Sequence, residues 1–69
     1  MARHRIEDAL QLLRSEYLEM PRLSLTPGEV ARILNVDSPT ARVLVQALED
    51  SRFLQRSRDG HFTLVAHRG

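Results

Sequence analysis

The chain contains no cysteine and no lysine, and it has no run of apolar residues long enough to cross a membrane. Without cysteine there can be no disulfide and no thiolate zinc site, so folding does not require an oxidising compartment. Nothing after Met1 reads as a signal peptide or a membrane span, and we therefore expect a cytoplasmic protein. A length of 69 residues predicts a single domain with a small core and no cleft between lobes.

The ten basic residues are all arginines, and with nine acidic residues they give a net charge of +1. A value this near zero is weak for an obligate nucleic-acid binder. The distribution is uneven, because residues 51–69 carry four arginines and one aspartate, whereas residues 23–50 carry two arginines and four acidic residues. The C-terminal third is therefore the positive end of the chain.

Groups that would perform catalysis or hold a metal are not arranged for either task. His4, His61 and His67 are scattered, with no carboxylate or second histidine at ligand spacing. Two pairs of adjacent acidic residues lie in predicted helices, where neighbouring side chains diverge around the axis. No phosphate-binding or nucleophile motif occurs. We expect no enzymatic activity, metal, cofactor or small-molecule ligand.

Residues 26–54 predict two helices joined by a very short turn. The first, over residues 27–34, has Thr26 as its cap, Pro27 at its first position and Glu29 placed to complete a capping box. Its expected apolar face consists of Val30, Ile33 and Leu34. Two capped helices joined this closely are expected to cross steeply, as in a helix-turn-helix.

The second of these helices is expected over residues 39–51, with Ser38 or Asp37 as its cap and Pro39 at its first position. Its inward stripe shows helical spacing and consists of Ala41, Leu44, Val45 and Leu48. The outward side is then formed by Pro39, Arg42, Val43, Gln46 and Asp50. Glu49 and Asp50 are expected to lie towards the end of the helix that points away from a bound DNA.

A helix over residues 4–19 precedes this pair. Its apolar stripe consists of Ile6, Ala9, Leu10, Leu13 and Tyr17. Leu12 and Leu18 lie on either side of that stripe, where they either widen the buried face or form the seam of a homodimer. Met20-Pro21 ends the helix, since the residue before proline is driven out of the helical region.

Short strands complete the expected order. Residues 23–25 alternate apolar and polar side chains, and residues 53–57 and 61–65 are strand-like on either side of Asp59-Gly60. Asp-Gly predicts a hairpin turn because both residues tolerate a positive φ. The order is thus helix, short strand, helix, helix and hairpin, an α+β class that is mostly α.

Residues 23–65 resemble the winged helix-turn-helix of bacterial regulators of the IclR and MarR types. The resemblance rests on Leu25-Thr26, Thr40-Ala41, Leu48-Glu49 and Asp59-Gly60-His61-Phe62. The chain is also similar to a group of short stand-alone bacterial proteins of unassigned function that share Leu18-Glu19-Met20-Pro21 and Leu23-Ser24-Leu25-Thr26. Such a fold implies DNA binding, with the hairpin as a wing.

The chain departs from the IclR and MarR types in two ways. Those helices usually end on glycine where this chain has Arg52, so the second helix of the pair is expected to close without a residue suited to the left-handed conformation. The IclR type also carries a ligand-binding domain after the wing, whereas this sequence stops at Gly69. We therefore expect no effector sensing by that route.

The start of the second helix would enter the major groove. There Arg42 could bond guanine, Gln46 adenine, and Val43 could touch a thymine methyl. Phosphates could be held by Ser38, Thr40 and the free amides of the helix start, with Pro39 beside them. The alternative is that Arg42 and Gln46 are ordinary solvated residues.

In the resembling families the wing places basic residues against the minor groove or the backbone. Arg56, Arg58 and His61 are the candidates here, although arginines on an exposed hairpin also discourage edge pairing. We expect a DNA-binding transcriptional regulator that contacts double-stranded DNA, with a possible homodimer through Leu12 and Leu18. The alternative is a protein-interaction module, for which Val43 and Pro39 would form the contact.

Overall fold

A computed structural model describes residues 2–65 of the chain, with side chains from residue 6 onward. Within that range three helices and a three-stranded antiparallel sheet form an α+β structure that is mostly helical, which confirms the expected class. The elements are α1 (Ala2–Glu19), β1 (Ser24–Leu25), α2 (Pro27–Leu34), α3 (Ser38–Asp50), β2 (Leu54–Arg56) and β3 (Phe62–Leu64). Helix α1 begins two residues earlier than expected, α3 begins and ends one residue earlier, and the strands are shorter. The side chain of His4, and His67, lie outside the described residues.

Helix α2 is fixed at both ends by local hydrogen bonds. The Glu29 amide donates to Thr26 Oγ1 at 3.1 Å, and the Thr26 amide donates to Glu29 Oε1 at 2.9 Å, so the predicted capping box is confirmed. The helix ends at Asn35, whose φ of 58° is left-handed. Asparagine tolerates this conformation, which lets the chain turn at once towards α3.

Helix α3 takes Asp37, rather than Ser38, as its cap. The Thr40 amide donates to Asp37 Oδ1 at 3.1 Å. Ser38 is therefore the first helical residue and Pro39 the second, one position later than the sequence suggested. Hydrogen bonding by Thr40, through its hydroxyl and its amide, holds the pKa of Asp37 below its usual range.

The C-terminal end of α3 closes through Arg52, which has a φ of 66°. The Arg52 amide donates to the Glu49 carbonyl at 3.0 Å, and the Phe53 amide donates to the Leu48 carbonyl at 2.9 Å. These are the two hydrogen bonds of a Schellman motif. Helix α3 thus closes without glycine, as expected, and Arg52 itself adopts the left-handed conformation in its place.

The core lies between the three helices and one face of the sheet. Its buried side chains are Ala9, Leu13, Tyr17, Leu25, Val30, Ala41, Leu44, Val45, Leu48, Leu54 and Phe62. The Tyr17 hydroxyl donates to the Phe62 carbonyl at 2.6 Å, joining α1 to β3 across the core. Burial raises the pKa of Tyr17 to about 12, so the hydroxyl remains a donor at neutral pH.

Four residues expected in the core or beside it are exposed. Ile6, in the expected apolar stripe of α1, is 39% exposed. Ile33 is 49% exposed, because the buried side of α2 turns towards Ala31 and leaves Ile33 at its margin. Leu12 and Leu18 are 57% and 61% exposed, so the interpretation that they widen the buried face of α1 is wrong. Their role as a dimer seam stays a prediction.

The sheet has the strand order β1-β3-β2, with both neighbours of β3 antiparallel to it. Phe62 lies opposite Leu25 on one side and Arg56 on the other. Between β2 and β3, Gly60 has a φ of 84°, but Asp59 does not have a positive φ. The turn is therefore a longer one closed by glycine, and the expectation that both Asp59 and Gly60 would be left-handed is wrong.

Candidate functional site

The outward side of α3 presents polar and apolar side chains to solvent. Arg42, Val43 and Gln46 are exposed, as are Ser38 and Pro39 at the start of the helix, while Thr40 is half-buried. This follows from helical periodicity, since the opposite side of α3 supplies four residues to the core. Among the described side chains, the Arg42 guanidinium has no ion-pair partner.

A groove of about 420 Å³ runs between α3 and the β2–β3 hairpin. Its walls are formed by Pro27, Arg42, Val45, Gln46, Arg56, Gly60 and Phe62. The fold therefore brings the Arg56 guanidinium of β2 to Arg42 and Gln46 of α3, which lie ten or more positions earlier in the sequence. Such an arrangement suits an anionic or hydrogen-bonding ligand.

Arg56 is held at the edge of this groove by three contacts. Its Nη2 lies 3.2 Å from Glu49 Oε1 and 3.5 Å from Gln46 Oε1. Its guanidinium carbon lies 5.2 Å from the centre of the Phe62 ring, within the range of a cation–π contact. The side chains of Arg56 and Glu49 are 51% and 30% exposed. Water screens an ion pair this exposed, which limits its strength to about 1 kcal/mol or less.

Gln46 is also engaged by the protein. Its Nε2 donates to Asp50 Oδ1 at 3.0 Å, one helical turn further along α3. The sequence suggested that Glu49 and Asp50 would point away from a bound DNA. The structure places these carboxylates against Arg56 and Gln46, two of the residues expected to contact DNA. Where the carboxylates would lie relative to a bound DNA stays a prediction.

No protein-family model, curated protein or solved structure matches the chain. What the site can bind must therefore be inferred from its own geometry. Within residues 2–65 no helix is both long and apolar enough to cross a membrane. In the described part of the chain, no three histidine, aspartate or glutamate side chains lie close enough together to hold a metal ion.

The tip of the hairpin forms a separate small cluster. Arg58 is exposed there, and His61 Nδ1 lies 3.5 Å from Asp59 Oδ1 without a hydrogen bond. The Ser57 hydroxyl donates to Asp59 Oδ1 and accepts from the His61 amide. The hydrogen bond from Ser57 holds the pKa of Asp59 below its usual range. These hydrogen bonds hold the loop together, and Arg58 lies on its outer side.

The expected contact residues fall into three groups. Ser38, Pro39 and Thr40 lie at the start of α3, while Arg58 and His61 lie at the hairpin tip. The others meet at the groove or beside it. Sequence reasoning missed Glu49 and Phe62 as partners of Arg56. These partners lie on other elements, Glu49 on α3 and Phe62 on β3, and no local pattern links their side chains to Arg56.

Proposed function

We propose that the chain is a winged-helix DNA-binding protein that regulates transcription. In this proposal α2 and α3 form the helix-turn-helix, α3 enters the major groove, and the β2–β3 hairpin is the wing. The observation that carries the proposal is the groove in which Arg42, Gln46 and Arg56 converge, since it joins the outward side of α3 to the hairpin. A duplex lying along that side would meet both elements at once.

Base recognition is assigned to the exposed side of α3. Arg42 would donate to guanine O6 and N7, Gln46 would bond adenine N6 and N7, and Val43 would touch a thymine methyl. Ser38, Pro39 and Thr40 surround the start of the helix, where the positive end of the helix dipole favours a phosphate. The Asp37 carboxylate already accepts the Thr40 amide at this end, so its negative charge would oppose a phosphate placed there.

The hairpin is assigned to the backbone or the minor groove. Arg58 lies exposed at the tip and can reach a phosphate directly. Arg56 forms an ion pair with Glu49, which a phosphate would have to compete with. His61 would add a donor beside Arg58. Each phosphate that the hairpin neutralises would add about −0.9 to the slope of log K against log salt.

A homodimer would extend the site, because one recognition helix reads few bases. Leu12 and Leu18 are the exposed positions on α1 for such a contact. They are six positions apart, which places them about 120° apart around the helix. We therefore expect a two-fold contact to be centred on one of them, which the effects of Leu12→Ser and Leu18→Ser on sedimentation would distinguish.

The test is fluorescence anisotropy of a labelled mixed-sequence duplex titrated with the protein at two salt concentrations. We expect salt-dependent binding, a slope about 0.9 smaller in magnitude for Arg58→Ala, and a loss of sequence preference for Arg42→Ala. Arg22→Ala is the matched control, because Arg22 lines a different surface with Met20, Pro21 and Leu23. No binding of the wild-type protein at low salt would refute the proposal, and equal slopes for Arg22→Ala and Arg58→Ala would refute the role of the hairpin.

The alternative is a protein-interaction module, and one observation favours it. Val43 is 56% exposed and lies beside Ala47 on the outward surface of α3, so an apolar partner could cover it. Binding of that kind would weaken little with added salt, unlike binding to DNA. Val43→Glu would abolish it, whereas Arg58→Ala would leave it unchanged.

A further inference from the structure

Among the three arginines proposed to contact DNA, Arg56 is the one with an ion-pair partner in the described part of the protein. The carboxylate that pairs with it, Glu49, belongs to α3, the helix proposed to read the bases. The same arginine also lines the groove, whereas Glu49 is not among the residues that form its walls. The guanidinium therefore lies between an internal carboxylate and the surface where a DNA phosphate would approach.

The contacts of Arg56 within the protein are made by Nη2, and this determines how its guanidinium can bind a phosphate. A guanidinium offers two edges with paired donors, one formed by Nη1 and Nη2 and the other by Nε and Nη2, and either can hold a phosphate through two parallel hydrogen bonds. Nη2 belongs to both edges. In the free protein Nη2 faces Glu49 Oε1 and Gln46 Oε1. Nη2 has one hydrogen on each edge, so a two-bond contact between Arg56 and a phosphate requires that Nη2 release at least one of these two partners.

We propose that Glu49 competes with a DNA phosphate for Arg56 and so weakens DNA binding through the hairpin. The inference rests on the proposed function. Binding would exchange the Arg56–Glu49 ion pair for an Arg56–phosphate pair, leaving the Glu49 carboxylate unpaired beside the polyanion. The cation–π contact with the Phe62 ring would keep the guanidinium at the groove during the exchange.

The competition also ties the hairpin to base recognition. Gln46 Oε1 is the second partner of Nη2, so if Arg56 leaves both partners for a phosphate the Gln46 oxygen is released as well. Gln46 would then be held only through its Nε2 bond to Asp50. Contact of the hairpin with the DNA backbone would thus free the Oε1 atom of Gln46, the side chain proposed to read adenine.

The experiment is a double-mutant cycle on DNA affinity at low salt, with wild type, Glu49→Gln, Arg56→Ala and the double variant. Glutamine keeps the length and helix propensity of glutamate but removes the charge. Because an exposed ion pair is weak, we expect Glu49→Gln to tighten binding by about two- to five-fold. In the Arg56→Ala background the same change is expected to have a much smaller effect, since no arginine remains to be released.

Asp50→Asn is the control for the loss of one negative charge at the neighbouring position. The Asp50 carboxylate accepts a hydrogen bond from Gln46 and has none with Arg56. We therefore expect removal of Arg56 to change the effect of Asp50→Asn on affinity much less than it changes the effect of Glu49→Gln. Circular dichroism of every variant checks that each one is folded.

The outcomes separate the two proposals. Equal tightening by Glu49→Gln in both backgrounds would mean that only long-range charge matters, and weaker binding by Glu49→Gln would mean that Glu49 supports Arg56 in the complex. Either result would overturn the competition while leaving DNA binding intact. A failure of all four proteins to bind DNA would overturn the proposed function, and the competition with it.

Discussion

Replacing Arg52 by glycine is expected to make the protein more stable. Arg52 is exposed and has a φ of 66° in the motif that closes α3. In that conformation the Cβ atom of a non-glycine residue lies too near the following carbonyl, which costs about 1–2 kcal/mol. Glycine removes that strain but loses about 0.5–1 kcal/mol through the greater freedom of the unfolded chain. The net gain is about 0.5–1 kcal/mol, or about 2–8 °C in the melting temperature of a domain this small.

Two variants isolate the origin of that gain. Arg52→Ala removes the same charge from the end of α3 but keeps the Cβ atom, so we expect it to show no gain. Asn35→Gly changes the other left-handed residue that closes a helix, with a φ of 58°, and is expected to gain less because asparagine already tolerates that region. Thermal and urea denaturation followed by circular dichroism measure all three. If Arg52→Gly is no more stable than Arg52→Ala, the strain assigned to Arg52 does not exist.

Three further changes test the core and the hairpin. Tyr17→Phe removes the hydroxyl that donates to the Phe62 carbonyl and should lower the free energy of unfolding by about 1 kcal/mol in urea titrations. Gly60→Ala should cost about 1–2 kcal/mol through strain alone, because none of the described atoms would crowd the new Cβ at a φ of +84°; Gly60→Asn should cost less. Ser57→Ala removes the hydrogen bond that lowers the pKa of Asp59. A carboxylate whose pKa is lower in the folded protein than the ordinary value of 3.8 stabilises the fold while it is ionised, and this stability is lost as the pH falls through the folded-state pKa. The wild type should therefore lose more stability than the variant between about pH 5 and pH 2.

Each of these outcomes can be contradicted. Unchanged stability of Tyr17→Phe would mean that water or another donor replaces the hydroxyl at the Phe62 carbonyl. Equal losses for Gly60→Ala and Gly60→Asn would point to something other than backbone strain. Parallel acid titrations of wild type and Ser57→Ala would show that the hydroxyl does not stabilise the ionised form of Asp59.

The sequence predicted those features that depend on neighbours along the chain. Thr26 and Glu29 are three residues apart and form the capping box that their spacing indicates. The inward stripe of α3 is buried as its period predicts. The sequence left Ser38 and Asp37 as alternative caps of α3, and Asp37 takes that role because its carboxylate accepts the Thr40 amide.

Features set by the packing of one element on another could not be predicted. Ile33 has the spacing of a core residue, but the position of α3 and the sheet decides which side of α2 is covered, and Ile33 falls outside it. Arg56 and Glu49 likewise meet only because the chain reverses at Arg52 and brings β2 back along α3. No sequence pattern near either residue indicates this ion pair, so a count of charges along the sequence assigned the two residues to separate segments.

Net charge is therefore a poor measure of what the hairpin can offer to DNA. Residues 51–69 carry four arginines against one aspartate, yet Arg56 is compensated by a carboxylate from the segment that looked unfavourably acidic. Arg58, by contrast, stands at the tip beyond that carboxylate. The two arginines should therefore differ in how they respond to salt, although they are two residues apart on one hairpin. Loss of Arg58 should reduce the salt slope by about 0.9 in magnitude, whereas loss of Arg56 should reduce it by less while Glu49 is present and by a similar amount once Glu49 is glutamine.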